Sequence, residues 1–220
     1  MTTPSTDPTL AMVRENLYTA VVGDVLDRLG RNQQFLPPTL TPLIPTATIA
    51  GRAMPVVVND VYGPPTKPFG LLTEALDQLE KDEIYMSSSI TQPVAQWGEI
   101  LTATAQQRGA VGAVVNGYYR DTRQILEREF PVWGLGSYGA DSFIRSSVSD
   151  FRVPIMIGPV KVTPGDLILA DIDGVVVIPQ DVEDDVLRIA LDKVATENTV
   201  LKEIDNGGTA TAAFAKHGVL

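Results

Sequence analysis

The chain contains no cysteine and one histidine, His217, near its end. Without a thiol there is no disulfide framework and no thiolate metal site. With one remote imidazole, a zinc centre of the usual nitrogen and sulfur type is not available either. Basic residues are in the minority: 17 lysines and arginines face 27 aspartates and glutamates, for a formal charge of −10. Such a surface repels a phosphate backbone, so a direct nucleic-acid role is disfavoured. No apolar run approaches the roughly 20 residues of a membrane-spanning helix. Residues 1–8 are polar and carry prolines rather than the apolar core of a secretion signal. The expectation is a soluble cytoplasmic protein with no nucleic-acid and no membrane partner. Its 220 residues suffice for one sizeable core.

The most informative stretch runs from Gly98-Glu99-Ile100-Leu101 to Arg120-Asp121. Leu101, Thr104, Ala105 and Arg108 share one helical stripe, and Gly109 is placed to end that helix. The run Ala110-Val111-Gly112-Ala113-Val114-Val115 is small and β-branched, as in a buried strand. A helix over residues 99–108 advances roughly 15 Å. A strand of about seven residues returns over roughly 23 Å. Packed antiparallel, the two bring the turn after Asn116 back to the level where the helix began. The free N–H groups of residues 98–101 then lie near Arg120 and Asp121. A helix start accepts anions, a guanidinium grips a carboxylate, and an aspartate holds a hard cation. Together they describe a pocket for a small metal-chelating carboxylate such as a 2-oxo acid.

These residues, with Val115-Asn116-Gly117-Tyr118-Tyr119 between them, resemble the core of the RraA-like family, and the resemblance covers residues 17–220, after an arm and first helical turns over 1–16. That family contains class II pyruvate aldolases acting on 4-hydroxy-4-methyl-2-oxoglutarate and 4-carboxy-4-hydroxy-2-oxoadipate, and also the regulator of ribonuclease E activity. The resemblance implies a single α/β domain of three layers, β/β/α, like the swivelling domains. It implies trimers or hexamers with active sites between subunits. It makes Asp121 the direct ligand of Mg²⁺ or Mn²⁺ and gives Arg120 the 2-oxo acid. The amides of Gly98, Glu99, Ile100 and Leu101 receive the substrate's oxygens. Glu99 supports water on the metal, as does Glu197 from a neighbouring subunit, with Glu203 a close competitor. Asn116 stands where many aldolase relatives have aspartate.

Elsewhere the sequence predicts a helix with Asp24 at its N-cap and Gly30 as its stop. Residues 48–59 read as a strand that Pro55 places at an edge or bulge. Residues 71–79 read as a short helix, Glu80-Lys81-Asp82-Glu83 as a solvated charge cluster, and Ser87-Ser88-Ser89 as turn residues that satisfy backbone. Gly134-Leu135-Gly136-Ser137-Tyr138-Gly139 matches a dinucleotide fingerprint formally, but residues 142–148 after it read as strand, so a loop is favoured. Asp166, Asp171 and Asp173 read as turn-makers around a hairpin at Asp173-Gly174. The last long helix covers residues 181–204, with Lys193 and Glu197 as an exposed pair and Gly207-Gly208 as its stop. A short terminal helix over 209–220 carries His217 on the surface.

The chemistry expected is cleavage of a 4-hydroxy-2-oxo acid between C3 and C4, which leaves negative charge on the former keto oxygen. A divalent ion and Arg120 stabilise that charge, and water polarised by Glu99 or Glu197 takes the C4 hydroxyl proton. Loss of CO₂ from oxaloacetate develops the same charge, so decarboxylation is a natural companion activity. A serine hydrolase lacks its histidine here. A Schiff-base aldolase needs a desolvated lysine, and only Lys161 sits in a strand-like setting, with nothing tying it to the Arg-Asp turn. The alternative is a non-catalytic, protein-binding regulator of the ribonuclease E type.

Overall fold

The computed structural model describes residues 7–63, 65–88 and 90–218. The first six residues of the expected arm, Pro64, Ser89 and the last two residues of the expected terminal helix lie outside them. In chain order the elements are α1 (Pro8–Asn16), α2 (Thr19–Arg28), β1 (Thr41–Pro42), β2 (Ile49–Asp60), α3 (Leu72–Asp77), β3 (Glu83–Ser87) and β4 (Ala95–Trp97). Then come α4 (Glu99–Arg108), β5 (Gly112–Val115), β6 (Tyr118–Tyr119), α5 (Thr122–Glu127), β7 (Val132–Gly134), β8 (Ser146–Phe151), β9 (Ile155–Ile157) and β10 (Val160–Val162). The chain finishes with β11 (Leu167–Asp171), β12 (Gly174–Ile178), α6 (Glu183–Asp205) and α7 (Ala210–His217).

The main sheet has the order β1-β7-β5-β3-β2-β11-β12, with β8 also on β2. Strands β2, β3, β5 and β7 run parallel; β1, β8, β11 and β12 are antiparallel to their neighbours. Side chains alternate across it, as the pleat requires. Ile84, Met86, Val114, Ile168 and Val177 face one side, where the β9–β10 hairpin packs through Ile155, Ile157, Val160 and Val162. Tyr85, Ala113 and Val115 face the other side, against α3, α4 and α5. On that same side Leu167, Leu169, Val176 and Ile178 meet α1, α2 and α6. Hairpin, sheet and helices make the expected three layers, β/β/α.

Local chemistry explains the breaks. Gly109 ends α4 in the left-handed region at φ 85°. Asp171 and Gly174 face each other across the two-residue hairpin that joins β11 to β12. Asp171 also accepts hydrogen bonds from the Thr19 backbone and hydroxyl at 2.8 and 2.7 Å, so it caps α2 from a distance, an arrangement worth about 1 kcal/mol.

Four local expectations are corrected. Asp24 lies inside α2 rather than at its N-cap, because the Asp171 contact starts the helix earlier. Of the expected edge or bulge, the edge is wrong, since Pro55 is in an interior strand, while the β2–β8 ladder does shift register close by, between Val57 and Val58. Along one side of β2 the partner changes from β11, which ends opposite Arg52, to β8, which begins opposite Val56, and Pro55 falls in that gap, where no strand needs its missing N–H. Asp82 and Glu83 are buried, not solvated. Glu83 receives the Arg152 guanidinium on both oxygens at 2.6 and 2.9 Å. His217 is partly buried, its Nε2 3.1 Å from Glu203.

Candidate active site

Strands β3 and β5 are neighbours and stop together, Ser87 opposite Val115. The segments that leave them return as β4 and β6, which pair in parallel as a small second sheet. Ligand sites in such folds form outside the carboxyl ends of parallel strands. The Arg120 N–H donates to the Trp97 carbonyl at 3.0 Å, which fixes the Arg-Asp turn beside the start of α4. Buried Trp97 donates from Nε1 to the Thr102 hydroxyl at 2.8 Å, and that hydroxyl donates to the Gly98 carbonyl at 3.0 Å. The helix start is therefore anchored to the core.

Asp121 has φ 55°, a left-handed conformation that aspartate tolerates better than most residues. It is the N-cap residue of α5, but its side chain makes no bond to that helix. Its Oδ2 instead accepts the Glu99 N–H at 3.1 Å. A Cβ at position 98 would stand 2.8 Å from that same oxygen, so glycine is required for the approach, not for its backbone angles. Arg120 places Nε 3.9 Å from Asp121 Oδ2 and Nη1 3.3 Å from Asp141 Oδ1.

Gly98, Ile100, Leu101, Arg120 and Asp121 all line one open cleft of about 290 Å³. Five of the residues singled out from the sequence thus share one hollow. Glu99 contributes its N–H to Asp121, while its half-exposed carboxylate faces Arg128 at 3.6 Å. The N–H groups of Ile100 and Leu101 have no helical carbonyl within reach. Among the described residues there is no cluster of three or more aspartate, glutamate, histidine or cysteine side chains fit to hold a metal. One carboxylate whose Oδ1 takes none of the contacts above still suits Mg²⁺ or Mn²⁺, which keep several water ligands.

Glu197 lies elsewhere in its own chain. With Tyr18, Asp24 and Lys193 it lines a second cleft between α2 and α6. The Lys193 side chain, 6% exposed, bonds Asp24 at 2.7 Å and Glu197 at 2.5 Å, so the lysine of the expected exposed pair is buried and Glu197 is partly so. Glu203 is held by Lys216 and His217. Burial and the hydrogen bond to Glu197 push the Tyr18 phenol up to about 12. Burial pulls Lys193 down, but its two carboxylate partners outweigh it and hold the ammonium above its ordinary value. Both groups keep their protons more tightly folded than unfolded. The Tyr18 contribution is complete below about pH 10 and drains away as the pH climbs through about 12, and that of Lys193 is likewise lost only on the alkaline side. Thermal melts from about pH 8 to about pH 11.5 are expected to show a smaller alkaline loss in Tyr18→Phe than in the wild type. An equal loss would show that the Tyr18 contact does not contribute.

Sequence reasoning missed Asp141, Arg128 and Gln96. Gln96 is buried, with Ser87 donating to its Oε1 at 2.6 Å. The serine expected to serve turn backbone serves this amide instead; Ser88, as expected, bonds backbone at Val58. No spacing rule links positions so far apart, and only the tertiary fold brings them together.

The RraA-like family model, described as Aldolase/RraA, matches residues 19–177, and the chain belongs to that family. Protein DlpA of Legionella pneumophila is 29% identical over 212 residues, 94% of this chain and 34% of DlpA, so the chain spans about a third of that protein. A Halalkalibacterium halodurans protein provisionally named a 4-hydroxy-4-methyl-2-oxoglutarate aldolase is 30% identical over 196 residues, 89% of each chain. The crystal structure of RraAS2 from Streptomyces coelicolor, described as an unusual member of the RNase ES inhibitor RraA protein family, matches with a TM-score of 0.78. That match is 22% identical and covers 89% of this chain and 96% of the other, a likeness of fold.

Proposed function

We propose that the protein is a divalent-metal-dependent class II aldolase that cleaves a 4-hydroxy-2-oxo acid to pyruvate and a second carbonyl compound. The observation that carries this reading is the shared cleft in which Arg120, Asp121 and the start of α4 converge. The provisional aldolase name of the H. halodurans relative supports it. Asp121 would hold the ion, Mg²⁺ or Mn²⁺, which supplies Lewis acidity at the keto oxygen.

The chain's own residues do the rest. The Ile100 and Leu101 amides orient the substrate carboxylate at the helix start. The C3–C4 bond breaks and its electron pair moves toward the former keto oxygen, where the Arg120 guanidinium meets the developing charge. The C4 hydroxyl proton leaves through water toward Glu99, whose carboxylate stands beside Arg128 just outside the cleft lining, and a proton returned through that water to C3 of the enolate completes pyruvate. A neighbouring copy of the chain would have to deliver Glu197 as a second acceptor, in a trimer or hexamer. The exposure of Ile100, 76% at the rim of the cleft, supports a surface that assembly covers. Oxaloacetate decarboxylation needs the same charge stabilisation. Among the described residues no helix is long and apolar enough to cross a membrane, and a cytoplasmic setting agrees with that.

Pyruvate release from a panel of 4-hydroxy-2-oxo acids tests the reading. Turnover is expected with Mg²⁺ or Mn²⁺ and is expected to cease with a chelator. No release and no decarboxylation under any divalent ion would turn the reading to a protein-binding regulator. A covalent adduct trapped by borohydride with pyruvate would replace the metal with a Schiff base.

A further inference from the structure

An irregularity in the small sheet brings the Arg-Asp turn level with the start of α4. Ala95 pairs with Tyr118 and Trp97 with Tyr119, so β4 uses three residues where β6 uses two, and Gln96 is the extra one. The main-chain bonds carry the same offset. The Tyr118 N–H donates to the Val94 carbonyl at 3.4 Å. Two residues on, the Arg120 N–H donates to the Trp97 carbonyl, three residues on, at 3.0 Å. Such bulges re-aim a side chain and recur beside active sites, but they are rare between parallel strands. Slipping the ladder by one residue would move Gly98 about 3.3 Å relative to Arg120.

The bulged side chain does not face water. Gln96 is 7% exposed in the lining of the cleft, and the Ser87 hydroxyl at the end of β3 donates to its Oε1 at 2.6 Å. Its other edge lies on the β5–β6 turn. A Cβ at position 117 would stand 2.7 Å from both Gln96 Cδ and Nε2, so Gly117 serves this approach rather than a backbone angle. Asn116, just before it, donates its N–H to the Ser87 carbonyl at 3.3 Å. One amide is thus wedged between the end of β3 and the segment that leads to Arg120 and Asp121. The arrangement is costly, because Nε2 is buried with no hydrogen-bond partner among the described residues. An apolar side chain of the same length avoids that penalty, so stability alone does not demand glutamine here.

We infer that Gln96 is a positioning residue: its amide, wedged between Ser87 and Gly117, holds the β4 bulge and so fixes the level of the Arg-Asp turn against the start of α4. Its effect on turnover rests on the aldolase reading above; its effect on the turn does not. Gln96 acts on Arg120 through the ladder and needs no contact with substrate. The guanidinium and the α4 amides must meet one molecule at once, and a misplacement of about 1 Å there lowers turnover by up to about 100-fold.

Gln96→Met keeps the length and bulk of the side chain and removes both amide groups. Its melting temperature is expected to stay within about 4 °C of the wild type, because removing the unpaired N–H offsets the lost Ser87 bond. Hydrogen exchange is read by mass spectrometry on the full-length protein in its native assembly, without substrate. Exchange is expected to quicken about tenfold or more in peptides covering residues 116–121, while peptides from β11 keep the wild-type rate. Faster exchange throughout the chain makes Gln96 merely structural and overturns the inference. Unchanged exchange in 116–121 overturns it as well.

Pyruvate release is followed in parallel. In Gln96→Met, kcat is expected to fall at least about tenfold while KM stays within about threefold. Gly117→Ala presses on the same amide from the other side. It is expected to lower kcat about tenfold alone, but no more than about twofold further once Gln96→Ala has made room. Additive losses overturn the wedge, and so does a loosened turn that leaves kcat at the wild-type value. Local loosening of 116–121 in a protein whose wild type releases no pyruvate supports the positioning and ends the aldolase reading instead.

Discussion

Asp121→Asn is expected to lower kcat/KM for pyruvate release by about 10²–10³-fold or more, while stability changes by no more than about 0.5 kcal/mol. Asparagine is the informative replacement because it separates charge from shape. It tolerates the left-handed backbone at φ 55°, and its carbonyl can still accept the Glu99 N–H. What it removes is the negative charge that would hold a divalent ion. Asp121→Ala is less clean, since a left-handed alanine adds backbone strain to the lost carboxylate. A matched pair of measurements, melting temperature and pyruvate release, decides the case. Wild-type turnover in a folded Asp121→Asn protein would dissociate the Arg-Asp turn from the chemistry.

Trp97→Ala is expected to cost about 3–5 kcal/mol, the range for deleting a buried aromatic. For a chain of this length that is a fall of roughly 6–20 °C in melting temperature. The indole lies 4.9 Å from the Tyr85 ring centre and 6.1 Å from that of Phe130, nearly parallel to the latter. It also donates to Thr102 and thereby steadies the Gly98 carbonyl. Its loss should therefore reduce turnover more than the population of unfolded protein accounts for, at temperatures where the variant is still folded. Trp97→Phe keeps most of the apolar volume and loses only the Nε1 donor. Its melting temperature should lie between the other two. Differential scanning calorimetry beside a turnover assay at a low temperature checks both points. A Trp97→Ala protein that melts within about 2 °C of the wild type would place this ring outside the cooperative core.

The part of the site that was legible in the sequence is the part written in local chemistry. The α4 limits and the Gly109 stop follow from helical periodicity and from residues that tolerate turns, and so does the β11–β12 hairpin, whose tip falls one residue earlier than expected, at Ile172-Asp173. The return of the chain after Asn116 to the start of α4 followed from the lengths of one helix and one strand. What could not be read depended on partners distant in the chain. Glu83 looked solvated within its charged run, yet Arg152, far along the chain, neutralises it inside the protein. Pro55 points to an edge or a bulge, because nothing local reveals that β2 changes partners at that residue. The second carboxylate on Arg120 comes from Asp141, in a loop whose glycines looked like a nucleotide fingerprint. Glu197 is singled out by its place on α6, yet no local pattern reveals that Lys193 and Tyr18 engage both of its oxygens within its own chain.

The common finishing line of β3 and β5 has a consequence for how this protein can change over time. The distance from the α4 start to the guanidinium is inherited from a ladder of main-chain bonds, which no surface substitution rewrites. The cleft's distal wall is built by different pieces of chain, α3 and the loop that carries Asp141. Mutations can thus remodel the far end of the cleft while the Arg-Asp turn and the α4 start stay put. Divergence among descendants of this chain should accumulate in appetite well before it reaches reactivity.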